Sequence, residues 1–228
     1  MPSYAINPPP VVTLPIEGSD QVFPVRRVYC IGRNYAAHAI EMGHDPNREA
    51  PFFFQKNPNN LYAGDSFPYP SQTKDVHHEI ELVVALKSGG KNIPINQALD
   101  HVWGYAVGLD MTRRDLQSTA KEMGRPWEIG KAFEDSGPVS ALKPVSAVGH
   151  PAAGLVQLKV NGKPKQTGDL NQMIWKVPEM ISYLSDYFEL AAGDVIMTGT
   201  PSGVAAVVPG DVMECHIDGV GELTVKVV

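Results

Sequence analysis

Two glutamates one residue apart, Glu79 and Glu81 in His77-His78-Glu79-Ile80-Glu81-Leu82, are the residues of this chain best placed to do chemistry. An extended strand alternates its side chains, so both carboxylates share one face while Ile80 and Leu82 take the other. Like charges side by side at the mouth of an apolar run are unfavourable unless something positive lies between them. Mg²⁺, Mn²⁺ and Ca²⁺ are hard cations that take oxygen ligands, and one of them would relieve the repulsion. A half-exposed strand showing two acids to water is the plainer reading. Asp110 ends the apolar run Gly104-Tyr105-Ala106-Val107-Gly108-Leu109. It is either a third carboxylate, completing a set able to hold an octahedral cation with positions left for substrate, or the cap of the next helix.

Other candidates lie nearby in the chain. His38 and Glu41 are three apart, so on a short helix they share a face. A carboxylate beside an imidazole makes a water-activating base, and the same spacing is common in surface pairs. Arg114 and Gln117 follow Asp110 closely and offer cationic and amide donors, or simply a solvated helix face. Lys131 is a lone cation in Ile129-Gly130-Lys131-Ala132-Phe133, either at a site or snorkelling to the surface. Gly199-Thr200-Pro201-Ser202-Gly203 makes a tight turn displaying hydroxyls. It has neither phosphate-loop nor nucleophile-elbow spacing. At most one of His77 and His78 faces the glutamates, and no Cys/His cluster argues for zinc.

The elements that must carry these residues are mostly short strands. Strands are expected over 28–31, 52–54, 79–86, 102–110, 195–197, 212–217 and 223–227, with a hairpin over 156–166 turning at Asn161-Gly162. Helices are expected over 34–42, capped by Asn34, and over 112–123, capped by Thr112 with Asp115 in the capping-box position. A third, over 178–188, puts Met180, Ile181, Leu184 and Tyr187 on one stripe. The run Leu82-Val83-Val84-Ala85-Leu86 is apolar on both faces, as in a strand buried on both sides. The fold class is α+β, β-rich. Residues 1–24, with Pro8-Pro9-Pro10, form an extended arm with a short strand near 11–14, and residues 25–228 form a single domain.

The chain has 228 residues, is 43% hydrophobic and carries a formal charge of -6. That suffices for one sizeable core. The longest basic runs are the pairs Arg26-Arg27 and Arg113-Arg114, which excludes a phosphate-tracking surface and hence nucleic acid. Cys30 and Cys215 lie in apolar runs and read as buried thiols in a reducing cytoplasm. No apolar stretch approaches a membrane-spanning length.

Five segments occur in an order that resembles the fumarylacetoacetate hydrolase family, acylpyruvate and fumarylpyruvate hydrolase branch. They are Gly32-Arg33-Asn34-Tyr35-Ala36-Ala37-His38, His78-Glu79-Ile80-Glu81-Leu82, Gly108-Leu109-Asp110-Met111-Thr112, Arg114-Asp115-Leu116-Gln117 and Gly199-Thr200-Pro201-Ser202-Gly203. The resemblance implies a β-rich roll of mixed sheets, a homodimer and a bound Mg²⁺ or Mn²⁺, with no organic cofactor. It puts Glu79, Glu81 and Asp110 on the metal, His38 and Glu41 in a hydrolytic dyad on a lid helix, and Lys131 on the developing oxyanion. Arg33, Arg114, Gln117 and Thr200 then contact substrate. The implied reaction is cleavage of the C3–C4 bond of a 2,4-diketo acid, fumarylpyruvate first among them, in the catabolism of aromatic compounds. Oxaloacetate decarboxylation and keto-acid isomerisation are alternatives on the same site, and a non-catalytic dimeric binding module is a more distant one. Arg113, and the Asn57 inserted in Lys56-Asn57-Pro58, depart from the family pattern.

Overall fold

The computed structural model describes residues 3–36 and 50–228. Among these, six strands form the central sheet, in the order Lys143–Pro144, Val102–Leu109, Ile80–Leu86, Asp194–Met197, Arg27–Gly32, Phe52–Lys56. Neighbours are antiparallel except Asp194–Met197 with Arg27–Gly32. A five-stranded sheet runs Lys163–Asp169, Leu155–Val160, Val212–Ile217, Gly221–Val227, Ser66–Phe67. The principal core lies between the two sheets, where Leu82, Val84 and Leu86 join Leu158, Ile217 and Val225. The strand Ile80–Leu86 is buried at every position, as its uniform apolarity requires.

The other face of that strand, through Val83 and Ala85, packs with Leu14, Phe23 and Val25. Leu14 and Phe23 belong to the arm, whose strands Thr13–Pro15 and Val22–Pro24 pair antiparallel, and Val25 follows it directly. The arm thus shields a sheet face that would otherwise meet water, each buried large side chain contributing roughly 1.5–3 kcal/mol.

The expected hairpin forms, with Asn161 and Gly162 at φ 51° and 74°, the mirror-image turn that matches strand twist. Helix Val177–Tyr187 buries Met180, Ile181 and Leu184. Tyr187 departs from that stripe: at the last turn it is 62% exposed and touches the rings of Phe53 and Tyr183.

The helix expected over 112–123 runs instead Arg114–Glu122 and lacks a side-chain cap. Thr112 pairs with His77 in a three-stranded sheet, and its hydroxyl accepts from Lys131 and donates to the Asp110 carbonyl. Asp115 turns to the Thr73 hydroxyl and the Lys74 amide. Most of the helix expected over 34–42 lies outside the described residues. The Asn34 amide bonds both polar groups of the Trp175 backbone and the Thr198 carbonyl, latching that turn to the sheet.

Candidate metal centre

Strand pairing explains why acids distant in sequence meet. Ile80 stands opposite Leu109 and Glu81 opposite Gly108, while the Asp110 amide donates to the Glu79 carbonyl at 2.9 Å. Glu79 and Asp110 therefore leave the same end of adjacent strands. One ligand oxygen from each of Glu79, Glu81 and Asp110 lies within 4.8 Å of the others, and all three residues are buried. Oxygens around one hard cation, each about 2.0–2.6 Å from it, are separated by such distances.

What the protein leaves unsatisfied also fits a cation. Lys56 Nζ is 2.8 Å from Asp110 Oδ1. Yet it donates to the Met111 carbonyl at 3.3 Å, to Ser136 Oγ at 2.9 Å and to the Lys131 carbonyl. Asp110 Oδ1 thus feels the ammonium charge but accepts no hydrogen bond, and it is buried. Its charge is paired by Lys56, and it keeps a lone pair that a metal ion can take. Burial, then the carboxylates of Asp110 and Glu79, push the Glu81 carboxyl well above the usual range, although the Gly199 amide and Lys131 oppose them. A dication among the three would remove that repulsion. The residues present fit one.

The cations around the acids are fixed. Lys131, from the short helix Glu128–Lys131, donates to Asp110 Oδ2 at 2.6 Å, Thr112 Oγ1 at 2.7 Å and Glu79 Oε2 at 2.9 Å. Burial by itself lowers its pKa, but Asp110 and Glu79 together hold it above the ordinary value. At 2% exposure Lys131 does not snorkel. Arg114 donates to Glu79 Oε1, to Gln117 Oε1 at 2.5 Å and to His77 Nδ1 at 3.3 Å. Burial first, then Arg114, hold the His77 imidazole below its usual pKa. His77 is thus the histidine on the acids' side, and His78 faces away toward Gln166.

The turn after Asp194–Met197 closes the site. Gly199 has φ +91°, and a Cβ there would stand 2.8 Å from that of Asn34, so glycine is what lets its N–H reach Glu81 Oε2 at 2.8 Å. Thr200 Oγ1 donates to the Ile80 carbonyl and accepts from Gln166, each at 2.7 Å. Gln166 Oε1 in turn accepts from the Ile80 amide at 3.1 Å. One glutamine therefore ties the turn to the strand that follows Glu79 and carries Glu81.

Arg33, Arg114, Gln117, Lys131 and Thr200 line the same cavity as the three acids, about 380 Å³ in volume. His38 and Glu41 lie outside the described residues. Sequence reasoning met Lys56 only in a departure from the family pattern, without a role, and passed over Gln166 and the aromatic residues of the cavity wall. For Lys56 a signal was present: alternation along Phe52-Phe53-Phe54-Gln55-Lys56 sends residues 52, 54 and 56 to one face.

Residues 27–228 match the family model described as fumarylacetoacetate (FAA) hydrolase C-terminal. The chain belongs to this family. It is 56% identical to the fumarylpyruvate hydrolase of Pseudomonas aeruginosa, solved in complex with Mn²⁺ and pyruvate, with a TM-score of 0.97 and 99% of each chain covered. It is also 42% identical over 184 residues to a fumarylpyruvate hydrolase of Ralstonia sp, covering 80% of this chain and 95% of that one. Oxaloacetate tautomerase of Rattus norvegicus is 43% identical over 204 residues, covering 89% of this chain and 91% of that one. The fold is the mixed, strand-dominated α+β architecture of these family members. Among the described residues no helix is long and apolar enough to cross a membrane.

Proposed function

We propose that this chain is a Mg²⁺- or Mn²⁺-dependent hydrolase that cleaves the C3–C4 bond of acylpyruvates, fumarylpyruvate to fumarate and pyruvate foremost. The observation that carries the reading is the meeting of Glu79, Glu81 and Asp110 within 4.8 Å in one cavity with Lys131 and Arg114. The Mn²⁺ and pyruvate held by the Pseudomonas relative support it. Glu79, Glu81 and Asp110 would hold the dication, which would supply Lewis acidity toward a keto-acid substrate.

The protein's own groups do the rest. His38, oriented by Glu41, takes a proton from water as its oxygen bonds to C4. Lys131, held above its ordinary pKa by its carboxylate neighbours, stabilises the oxyanion at C4 through its charge, its three N–H groups being engaged by Asp110, Glu79 and Thr112. The C3–C4 pair then departs with pyruvate as its enolate, which is protonated at C3, and the acyl group leaves as a carboxylic acid. Arg33, Arg114, Gln117 and Thr200 hold the substrate's oxygens. Residues 25–228 serve as the catalytic domain, with 1–24 as a covering arm. The enzyme works as a cytoplasmic homodimer in aromatic catabolism. The exposed ring of Tyr187 and the edge position of Phe52–Lys56 support self-association, and the buried thiols suit a reducing compartment.

The rat tautomerase, and an oxaloacetate decarboxylase of Dictyostelium discoideum 40% identical over 196 residues, favour a second reading, in which the same site acts on oxaloacetate as tautomerase or decarboxylase. Protein loaded with Mg²⁺ or Mn²⁺ and given fumarylpyruvate, acetylpyruvate or oxaloacetate separates the two. Loss of diketo-acid absorbance with stoichiometric pyruvate release is expected. Turnover of oxaloacetate alone would overturn the hydrolase reading.

A further inference from the structure

The keto-acid end of a substrate accounts for the inner half of the cavity but not for its aromatic outer half. Phe52 and Phe54 project there from one face of the edge strand, and Trp127 comes from the turn before helix Glu128–Lys131. The Trp127 ring meets Phe52 edge-on at 4.9 Å and Phe54 at 5.8 Å between centroids. The wall starts at the metal centre, since Lys131 Nζ is 5.0 Å from the Phe54 ring. It ends at Arg33, whose guanidinium carbon is 5.5 Å from the Phe52 ring.

Two local features hold that end in place. Gly32 pairs with Phe52 across the strands, and a Cβ on Gly32 would stand 2.5 Å from Phe52 Cδ1. The ring therefore lies down in the space of a missing side chain. Arg33 itself has φ 57°, a left-handed conformation that costs a non-glycine residue of order 1 kcal/mol and gathers at ligand clamps. Charge pairing sets Arg33 apart as well. Lys56, Lys131 and Arg114 each lie within ion-pair distance of Glu79 or Asp110. Among the described residues Arg33 has no acidic partner. Neighbouring Lys121 and Glu122, also lining the cavity, carry opposite charges and add little net field.

An aromatic wall of mutually tilted rings, ending in a guanidinium with no acidic partner among the described residues, suits one class of group. We infer that Phe52, Phe54, Trp127 and Arg33 form a distal subsite for a planar, conjugated acyl group that ends in a carboxylate. The inference rests on the hydrolase reading and deepens it by assigning acyl specificity. A conjugated chain is already flat and stacks on the rings without freezing torsions. Its carboxylate takes the planar fork of Arg33 in two charge-assisted hydrogen bonds. A saturated acyl group gives up the first advantage, and an uncharged one leaves Arg33 unpaired.

Three acylpyruvates test the two parts separately in the Mn²⁺-loaded enzyme. Fumarylpyruvate carries the distal carboxylate, crotonylpyruvate keeps the flat alkene with a methyl in its place, and butyrylpyruvate is saturated. In Arg33→Met the kcat/KM ratio of fumaryl over crotonyl substrate should fall about 30-fold, the worth of a charged hydrogen-bonded contact, and Arg33→Lys should recover part of it. In Phe52→Leu and Trp127→Leu the crotonyl-over-butyryl ratio should fall about 5-fold, the worth of one aromatic stacking contact. Phe52 is 38% exposed, so its replacement does not threaten folding. Calorimetric binding of fumarate against crotonate to wild type and Arg33→Met reads the carboxylate contact without turnover. Unchanged ratios with equal fumarate binding would overturn the subsite while leaving the hydrolase intact. A wild type that hydrolyses none of the three, yet binds fumarate less tightly after Arg33→Met, would instead remove the hydrolase and keep the subsite's carboxylate contact.

Discussion

Replacing Lys56 with methionine removes a buried ammonium while keeping a side chain of similar length. Residue 56 is fully enclosed, with Nζ 2.8 Å from Asp110 Oδ1 and bonded to Ser136 Oγ and two backbone carbonyls. Removing one member of a buried pair costs about 3–5 kcal/mol, because the partner's charge stays in a poorly solvating interior. Lys131 still donates to Asp110 Oδ2, and a flexible thioether fills the space well. The lower end, about 3 kcal/mol, is therefore expected. At about 2–4 °C per kcal/mol for a chain of this size, the melting temperature should drop by roughly 6–12 °C. Urea unfolding and calorimetry on chelator-treated protein measure both quantities. Saturating Mn²⁺ should recover part of the loss, since the dication takes over the orphaned Oδ1. Adding Asp110→Asn removes the stranded charge, so in chelator the double variant should lose less than the two singles together, by about 1 kcal/mol or more. A loss below about 1 kcal/mol in stripped protein, or strict additivity in the double variant, would refute this account of how Asp110 is held.

Glu79→Gln and Asp110→Asn should each weaken Mn²⁺ binding by more than about 100-fold and abolish turnover, because even supporting residues of metal sites are worth 10–100-fold. Turnover by either variant in chelator would remove the metal from the reaction. His38→Ala should keep Mn²⁺ and pyruvate binding, read by calorimetry, while kcat for an acylpyruvate falls by about 10²–10⁴. An unchanged kcat would take His38 out of the chemistry. Asp194 lies beneath Arg26 and accepts the Ala191 amide, yet burial still raises its pKa above the ordinary 3.8. The fold then binds this proton more tightly than the unfolded chain does. Its contribution is complete below the unfolded value and is lost as pH rises through the folded one. Asp194→Asn should accordingly destabilise more at about pH 4 than at about pH 7 in urea titrations, and the reverse order would reject the shift.

That Glu79, Glu81 and Asp110 were candidates for one site was legible in the sequence because the signal is local. Two carboxylates at i and i+2 on a strand must share a face, and an acid ending an apolar strand must have a reason to be there. Strand positions and the Asn161-Gly162 turn were legible for the same cause, since alternation and left-handed turn residues are properties of a few neighbouring residues. Thr112 shows where that legibility stops. Its cap-like sequence context was real, but the hydroxyl went to Lys131 and Asp110, groups brought beside it only by strand pairing and packing. Whether Lys131 reached a site or the surface was equally undecided from sequence, because a lysine's environment depends on what packs over it. The residue types, their alternation and the order of motifs along the chain therefore determined that acids would line one strand face and what kind of ion they suit. Tertiary structure alone decided which cations face them, that Lys56 and Lys131 share the two oxygens of Asp110, and that Arg33 closes an aromatic wall. Those contacts join strands remote in the chain, and their energies arise from burial and distance, which no local pattern encodes.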